Sequence, residues 1–196
     1  GTATTNLIIG RIGSSFVAAS SIANVMSQFC NVFIFGVANA AAVLTGKAIG
    51  EGRRDHAQQV AQTLWVLSFG VGAVSCVVLL LLRGPVLQIY NVLPETRAMA
   101  FEILTVLALL QISLAPDMTC IVGILRGGGD THVGFWFDCG GLWLIGVPLG
   151  LITGLVLHLP APIVFLCMKL DSPVKLTLSS VRMFSKRWIR NVTRAE

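Results

Sequence analysis

Charged residues are scarce in this chain of 196 residues, and their scarcity excludes an ordinary soluble domain. Lys, Arg, Asp and Glu make up 12% of the sequence, whereas they make up roughly a quarter of a soluble protein. Runs without any of these four residue types extend over 12–46, 57–82 and 139–168, and each is longer than the roughly 20 residues that cross a bilayer. The composition predicts an integral membrane protein in contact with lipid.

Motifs for catalysis and for metal binding are also absent. The sequence has no nucleophile elbow, no HExxH and no paired-cysteine motif, and His56, His132 and His158 fall at three separate predicted helix ends. The five cysteines lie within apolar segments, where they pack as small hydrophobic side chains. We therefore predict no metal site, no cofactor and no enzymatic activity.

The basic residues carry a net charge of +5, which in a soluble protein would indicate nucleic acid. Here Lys and Arg cluster at the ends of apolar segments, as membrane topology requires, so no nucleic-acid partner is predicted. Counted over alternate loops and the C-terminal segment, nine basic residues fall on one side of the membrane and three on the other. The side with nine, which includes the C-terminus, is predicted to be cytoplasmic.

The fold class predicted is an all-α membrane protein, because no ten-residue alternating strand pattern is present. The end of one helix is predicted over 1–12, and its abrupt start without Met indicates a fragment. A transmembrane lobe is predicted over 1–183 and a basic tail over 184–196. The five further predicted helices cover about 16–49, 56–82, 96–125, 133–157 and 161–183.

Four amides recur on one face of the long second helix, namely Asn24, Gln28, Asn31 and Asn39. Hydrogen bonding between packed helices explains such a stripe in many membrane bundles. The alternative is a cavity lining that solvates a substrate, because a stripe of several amides exceeds what packing normally needs. Both interpretations stay open at the level of sequence.

Acidic residues at bilayer depth provide the other candidates for function. Asp117 follows Pro116 in an apolar stretch and has no basic neighbour within its own helix, so it is the leading candidate for binding a coupling ion. Asp138 and Asp171 are secondary candidates. Lys175 lies one helical turn after Asp171, so charge pairing is a sufficient explanation for that acid.

Four stretches carry a resemblance to a known family: Gly10-Arg11-Ile12-Gly13, the glycine-containing segment 46–52, the segment Gly123-Ile124-Leu125-Arg126-Gly127-Gly128-Gly129-Asp130-Thr131, and Trp143 with Gly146-Val147-Pro148-Leu149. Their order and spacing resemble the C-terminal half of bacterial multidrug and toxic compound extrusion (MATE) transporters. The third stretch is the most specific, and the resemblance covers essentially the whole chain.

The resemblance implies one six-helix lobe, with its first helix truncated, of a twelve-helix antiporter in the cell membrane. It implies export of small organic cations and drugs in exchange for H⁺ or Na⁺, together with an N-terminal lobe that this chain lacks. Counted back from Arg126, Asp117 lies about two residues closer to the loop than the acid that some members carry in this helix. A flippase for lipid-linked oligosaccharides and a non-transporting scaffold or half-transporter remain the alternatives.

Overall fold

The computed structural model describes residues 14–89, 93–157 and 159–189, which are helical almost throughout. The predicted first helix over 1–12 and the end of the basic tail lie outside these ranges. The helices are α1 (Ser14–Gly50), α2 (Arg54–Ile89), α3 (Pro94–Met118), α4 (Thr131–Gly141), α5 (Val147–Leu151), α6 (Ala161–Lys169) and α7 (Asp171–Phe184). Three π-helical segments continue α3, α4 and α5, namely π1 (Thr119–Leu125), π2 (Leu142–Gly146) and π3 (Ile152–Val156).

Four helical stretches are long and apolar enough to cross a membrane: Ser15–Gly50, Arg54–Gln88, Thr96–Leu125 and Thr131–Gly154. They coincide with four of the predicted helices and confirm an all-α membrane protein. The core lies where α1, α2 and α3 meet, around buried residues such as Phe16, Leu79 and Leu104. Helices α4, α6 and α7 pack against α3 or π1, and the short α5 packs against α6.

The predicted end of the helix over 56–82 is wrong. Helix α2 continues through Pro85 to Ile89, and contacts with α3 account for this. The Arg83 guanidinium lies 4.1 Å from the centre of the Phe101 ring and donates a hydrogen bond of 2.6 Å to the Thr105 hydroxyl. Leu87, 2% exposed, is buried in the core, so packing outweighs the hydrogen bond lost at proline.

Proline also changes the helix that carries Asp117. Pro116 cannot donate to the carbonyl of Ile112, and the chain changes from α- to π-helical hydrogen bonding at Thr119. Such π segments occur where the regular hydrogen-bond ladder is disturbed. The helix therefore changes type after Met118, and the chain stays helical to Leu125.

The predicted sixth helix is divided into α6 and α7 at Leu170. Pro173 lacks the N–H that would bond the carbonyl of Lys169. The Leu170 N–H bonds the Cys167 carbonyl at 3.3 Å, three residues back rather than four. This tightened turn lies between Lys169 and Asp171, two charged residues at bilayer depth.

Glycines allow close helix contacts at several positions. A Cβ at Gly123 would lie 2.6 Å from the Ala38 carbonyl oxygen of α1, and one at Gly72 would lie 2.8 Å from the Gln111 carbonyl oxygen. In the glycine-rich loop, a Cβ at Gly127 would lie 2.6 Å from the Ala42 carbonyl oxygen. These glycines serve packing between helices.

The segment that follows α7 packs on the loops at one end of the bundle. Trp188 is fully buried, and its indole N–H donates to the Gln58 side-chain oxygen at 2.9 Å. Arg182 pairs with Asp130 at 2.8 Å, and Lys186 pairs with Asp55 at 3.1 Å. The α1–α2 loop, the glycine-rich loop and the C-terminal segment therefore share one end, and the predicted tail stays attached to the bundle as far as Ile189.

Candidate substrate and ion site

A small polar cavity lies between α1, α3 and the junction of α6 with α7. Its volume is about 60 Å³. Its lining residues are Asn24, Ser27, Asn31, Leu107, Leu110, Gln111, Leu114, Lys169 and Ser172. Six of the nine have polar or charged side chains, which is unusual for the interior of an apolar bundle.

Several polar atoms at this cavity have no hydrogen-bond partner. Within the described ranges, Asn31 Oδ1, Gln111 Nε2 and Ser172 Oγ are buried and unpaired. Gln111 is 2% exposed and Ser172 is 3% exposed. Buried polar groups are nearly always paired, so an unpaired cluster points to bound water, an ion or a ligand.

The structure brings together only part of the predicted amide stripe. Asn24 and Asn31, seven residues apart and therefore two turns apart on α1, both line the cavity. Gln28 and Asn39 are exposed and do not line it. Ser27 lies between the two lining amides and completes the α1 wall.

Among the polar lining residues, sequence reasoning did not single out Gln111 and Ser172. The signal for Gln111 was its position as a lone amide in the apolar stretch that also contains Asp117. Ser172 carried no signal, because its position depends on the turn at Leu170. Lys169, which directly follows the apolar run 139–168, also lies in the cavity wall.

Asp117 lies one helical turn beyond the cavity residue Leu114 and is not itself a lining residue. Its side chain is buried, with the residue 4% exposed, and Oδ1 has no hydrogen-bond partner in the described part of the chain. Lys175, Asp138 and Asp171 all act electrostatically on this carboxylate. The three acids singled out by sequence therefore lie in the same region of the bundle.

Lys175 links the two secondary candidates. Its Nζ lies 3.0 Å from Asp171 Oδ2 and 3.1 Å from Asp138 Oδ1. The lysine and Asp171 are nearly buried, with side chains 11% and 8% exposed, whereas Asp138 is exposed. The predicted pairing of Asp171 with Lys175 is confirmed, and the same lysine also binds Asp138 on α4.

A glycine on α4 makes room for this lysine. A Cβ at Gly141 would lie 2.7 Å from Lys175 Cγ and Cδ, so any larger residue would displace the lysine stem. Gly150 on α5 has the same relation to Met168, whose Cγ would lie 2.7 Å from a Cβ at that position. Small residues on α4 and α5 thus allow α6 and α7 to approach and present their charges to α3.

Residues 1–152 match the MatE family. The chain belongs to this family. Among curated proteins, the MatE chain is 35% identical over 148 residues to a probable multidrug resistance protein NorM of Xanthomonas campestris pv. campestris. It is 30% identical over 151 residues to the multidrug resistance protein MdtK of Yersinia pestis. These alignments cover 74% and 76% of the chain and 32% of each relative, so the chain spans about a third of the length of the curated relatives it matches.

Family membership together with four apolar helices makes this a multi-pass membrane protein, and the family is one of transporters rather than enzymes. The matched range contains Asn24, Asn31, Gln111, Asp117 and Asp138. The segment that follows residue 152 contributes both lysines, Asp171 and Ser172 to the site. The site of this MatE chain therefore combines groups from inside and outside the matched range.

Proposed function

We propose that this chain is the C-terminal lobe of a two-lobe MatE antiporter that exports small organic cations in exchange for H⁺ or Na⁺. The names of the relatives, which describe multidrug resistance proteins, support a drug substrate. The second lobe would close the substrate cavity from the other side, and alternating access would follow from rocking of the lobes. No cofactor is needed, because the ion gradient supplies the free energy.

The observation that carries this proposal is the buried, unpaired carboxylate of Asp117 near the ion pairs that Lys175 makes with Asp138 and Asp171. One ammonium thus bonds two carboxylates, and Asp117 adds a third negative charge to the region when it is ionised. Buried charge is costly unless it is compensated, and a proton or a cation would supply the missing compensation. Asp117 is the site of choice, because Lys175 bonds the other two acids directly.

The polar cavity would supply the adjoining part of the substrate site. Asn24, Ser27 and Asn31 offer uncharged donors and acceptors that replace water around a polar group. Ser172 in this wall directly follows Asp171, so the cavity and the proposed ion site lie next to each other. This adjacency provides a physical route for coupling.

The orientation we propose places the C-terminus in the cytoplasm and the protein in the cell membrane. The contacts of Lys186 with Asp55 and of Trp188 with Gln58 join basic segments that the charge count assigns to one side. The excess of Lys and Arg there supports a cytoplasmic location.

Asp117→Asn in the full-length transporter tests the ion-coupling role. The amide keeps the size of the side chain but cannot exchange a proton or attract a cation with a full charge. We expect drug efflux to fall at least tenfold and to lose its dependence on the imposed H⁺ or Na⁺ gradient. Efflux from cells and uptake into inverted vesicles with a defined gradient measure both quantities.

Glu102→Gln is the matched control, because Glu102 is an exposed acid on the same helix. It should leave efflux and gradient dependence close to those of the unmodified transporter. If Asp117→Asn behaves like this control, Asp117 does not couple transport. The test would then move to Asp138 and Asp171.

A lipid-linked oligosaccharide flippase is less well supported. A pyrophosphate group needs several free cations, but Lys175 is occupied by two carboxylates. Only Lys169 then faces the cavity without an acid bonded to it in the described ranges. This charge balance favours a cation exporter.

A further inference from the structure

Lys169 adds a positively charged side chain to the wall of the polar cavity. A site that binds only organic cations does not need such a group. Lysine offers three N–H donors and no acceptor. The acid that acts on it most strongly is Asp171, yet Asp171 bonds Lys175 at 3.0 Å. Among the residues that the structure describes, no carboxylate lies within ion-pair distance of Lys169. The ammonium is thus available to another group.

Two further donors converge on the same cavity. The Gln111 amide nitrogen and the Ser172 hydroxyl are buried, line the cavity and have no partner within the described chain. Lys169 and Ser172 come from opposite sides of the turn at Leu170, and Gln111 comes from α3. An ammonium, an amide N–H and a hydroxyl from separate elements form the type of donor set that binds an anionic oxygen.

The size of the cavity limits what this donor set can hold. A volume of about 60 Å³ accommodates a few water molecules, and therefore one small group rather than a whole drug molecule. A carboxylate fits this volume and would satisfy all three donors. The rest of the molecule would extend past Asn24, which is exposed at the edge of the cavity.

We propose that Lys169, Gln111 and Ser172 form a subsite for one anionic group, with a carboxylate on the transported molecule as its occupant. The inference rests on the proposed export function and adds a substrate feature to it. The donor end of the cavity and the acidic cluster at Asp117 are complementary to the two ends of a zwitterion. A free inorganic anion such as chloride shares this chemistry and is the other source to be distinguished.

Binding is measured on the purified full-length transporter with two fluorescent probes, rhodamine B, which has a free carboxylate, and its ethyl ester, which does not. Lys169→Gln should weaken rhodamine B binding about tenfold, the usual effect of losing one charge-assisted hydrogen bond, and should leave ester binding unchanged. Gln111→Glu, which places a carboxylate beside Lys169, should also weaken only rhodamine B. Lys169→Arg should retain most of the affinity.

Lys47→Gln serves as the control for loss of a positive charge, because Lys47 is exposed at the end of α1. Thermal unfolding in chloride and in gluconate identifies the source of the anion. If Lys169→Gln removes a chloride-dependent stabilisation and leaves rhodamine B binding intact, the subsite binds a free inorganic anion. Two results would overturn the subsite. In the first, Lys169→Gln weakens the binding of both dyes equally. In the second, Lys169→Gln changes the binding of neither dye and chloride does not stabilise the protein.

Transport separates this inference from the proposed function. Both the antiporter and the subsite are supported if the unmodified transporter exports the ester and Lys169→Gln loses its selective binding of rhodamine B. Selective binding without gradient-driven export of either dye would leave the subsite intact and reject the antiporter.

Discussion

Lys169 and Lys175 are six residues apart, and their surroundings give them different roles. Lys175 bonds two carboxylates and lies against Gly141, so it compensates charge inside the bundle. Lys169 lines a cavity with unpaired donors and has no bonded acid in the described ranges. One lysine is therefore structural, and the other is available to a ligand.

Removal of Lys175 should show this structural role directly. Lys175→Gln leaves the buried Asp171 without its partner, and we expect the free energy of unfolding to fall by about 3 kcal/mol. Unfolding of the detergent-purified protein by heat or by SDS measures the loss. The double variant Lys175→Gln with Asp171→Asn should lose less than the sum of the single variants, because the two residues interact. The ion-pair cluster would be contradicted if Lys175→Gln lowered the free energy of unfolding no more than Lys47→Gln does and if the effects of Lys175→Gln and Asp171→Asn were additive.

At the scale of the elements, the bundle depends on close approach of helices at glycine. π1 contacts α1 at Gly123, where even one methyl group would approach the Ala38 carbonyl oxygen to 2.6 Å. π1 follows directly after the turn that carries Asp117. The contact of π1 with α1 therefore helps to hold the Asp117 carboxylate in a fixed position relative to Asn24 and Asn31.

Gly123→Ala should destabilise the bundle by about 1–3 kcal/mol, because the added methyl group forces π1 and α1 apart. Gly36→Ala is the control on α1, where a Cβ would meet nothing within 4 Å; it should be neutral or stabilise the helix by up to about 1 kcal/mol. Thermal unfolding of both variants in detergent provides the comparison. Equal melting temperatures for the two variants would show that the close contact does not limit stability.

Sequence predicted the long helices well, because their apolar runs exceed the bilayer thickness and lipid permits few alternatives to a helix. It failed at Pro85, where tertiary contacts of Arg83 and Leu87 with α3 keep α2 helical. It also missed the division of the last helix at Leu170. Periodicity does not reveal how one proline near a helix start changes hydrogen bonding in the turn before it.

The candidate site was predictable only in part. Asn24, Asn31 and the three acids stood out as polar residues in apolar segments. Gln111 and Ser172 did not, because their importance arises from burial beside residues far away in sequence. The pairing of Lys175 with Asp138, 37 residues apart, likewise depends on how α4 packs against α7.

At the scale of the whole molecule, the polar groups that line the cavity lie between α1, α3, α6 and α7, and the bundle also exposes many large apolar side chains. Exposed apolar side chains such as Phe33 on α1 and Val66 on α2 are 70% and 63% exposed, which suits contact with lipid. Transport requires that the polar groups of the cavity are reached by water in the assembled transporter. A scaffold protein would instead bury the same groups in a dry seam between helices.

Labelling of single cysteines in a cysteine-free full-length transporter distinguishes these two cases most directly. Cysteines introduced at Asn24 and Asn31 should react with a charged, water-soluble thiol reagent, and a transported cation should slow the reaction. A cysteine at Val66 should remain unreactive, because Val66 is an exposed apolar residue on a helix long enough to cross a membrane, where we expect contact with lipid. If the cysteines at Asn24 and Asn31 are as inert as the one at Val66, the polar face is sealed and the transport proposal is contradicted.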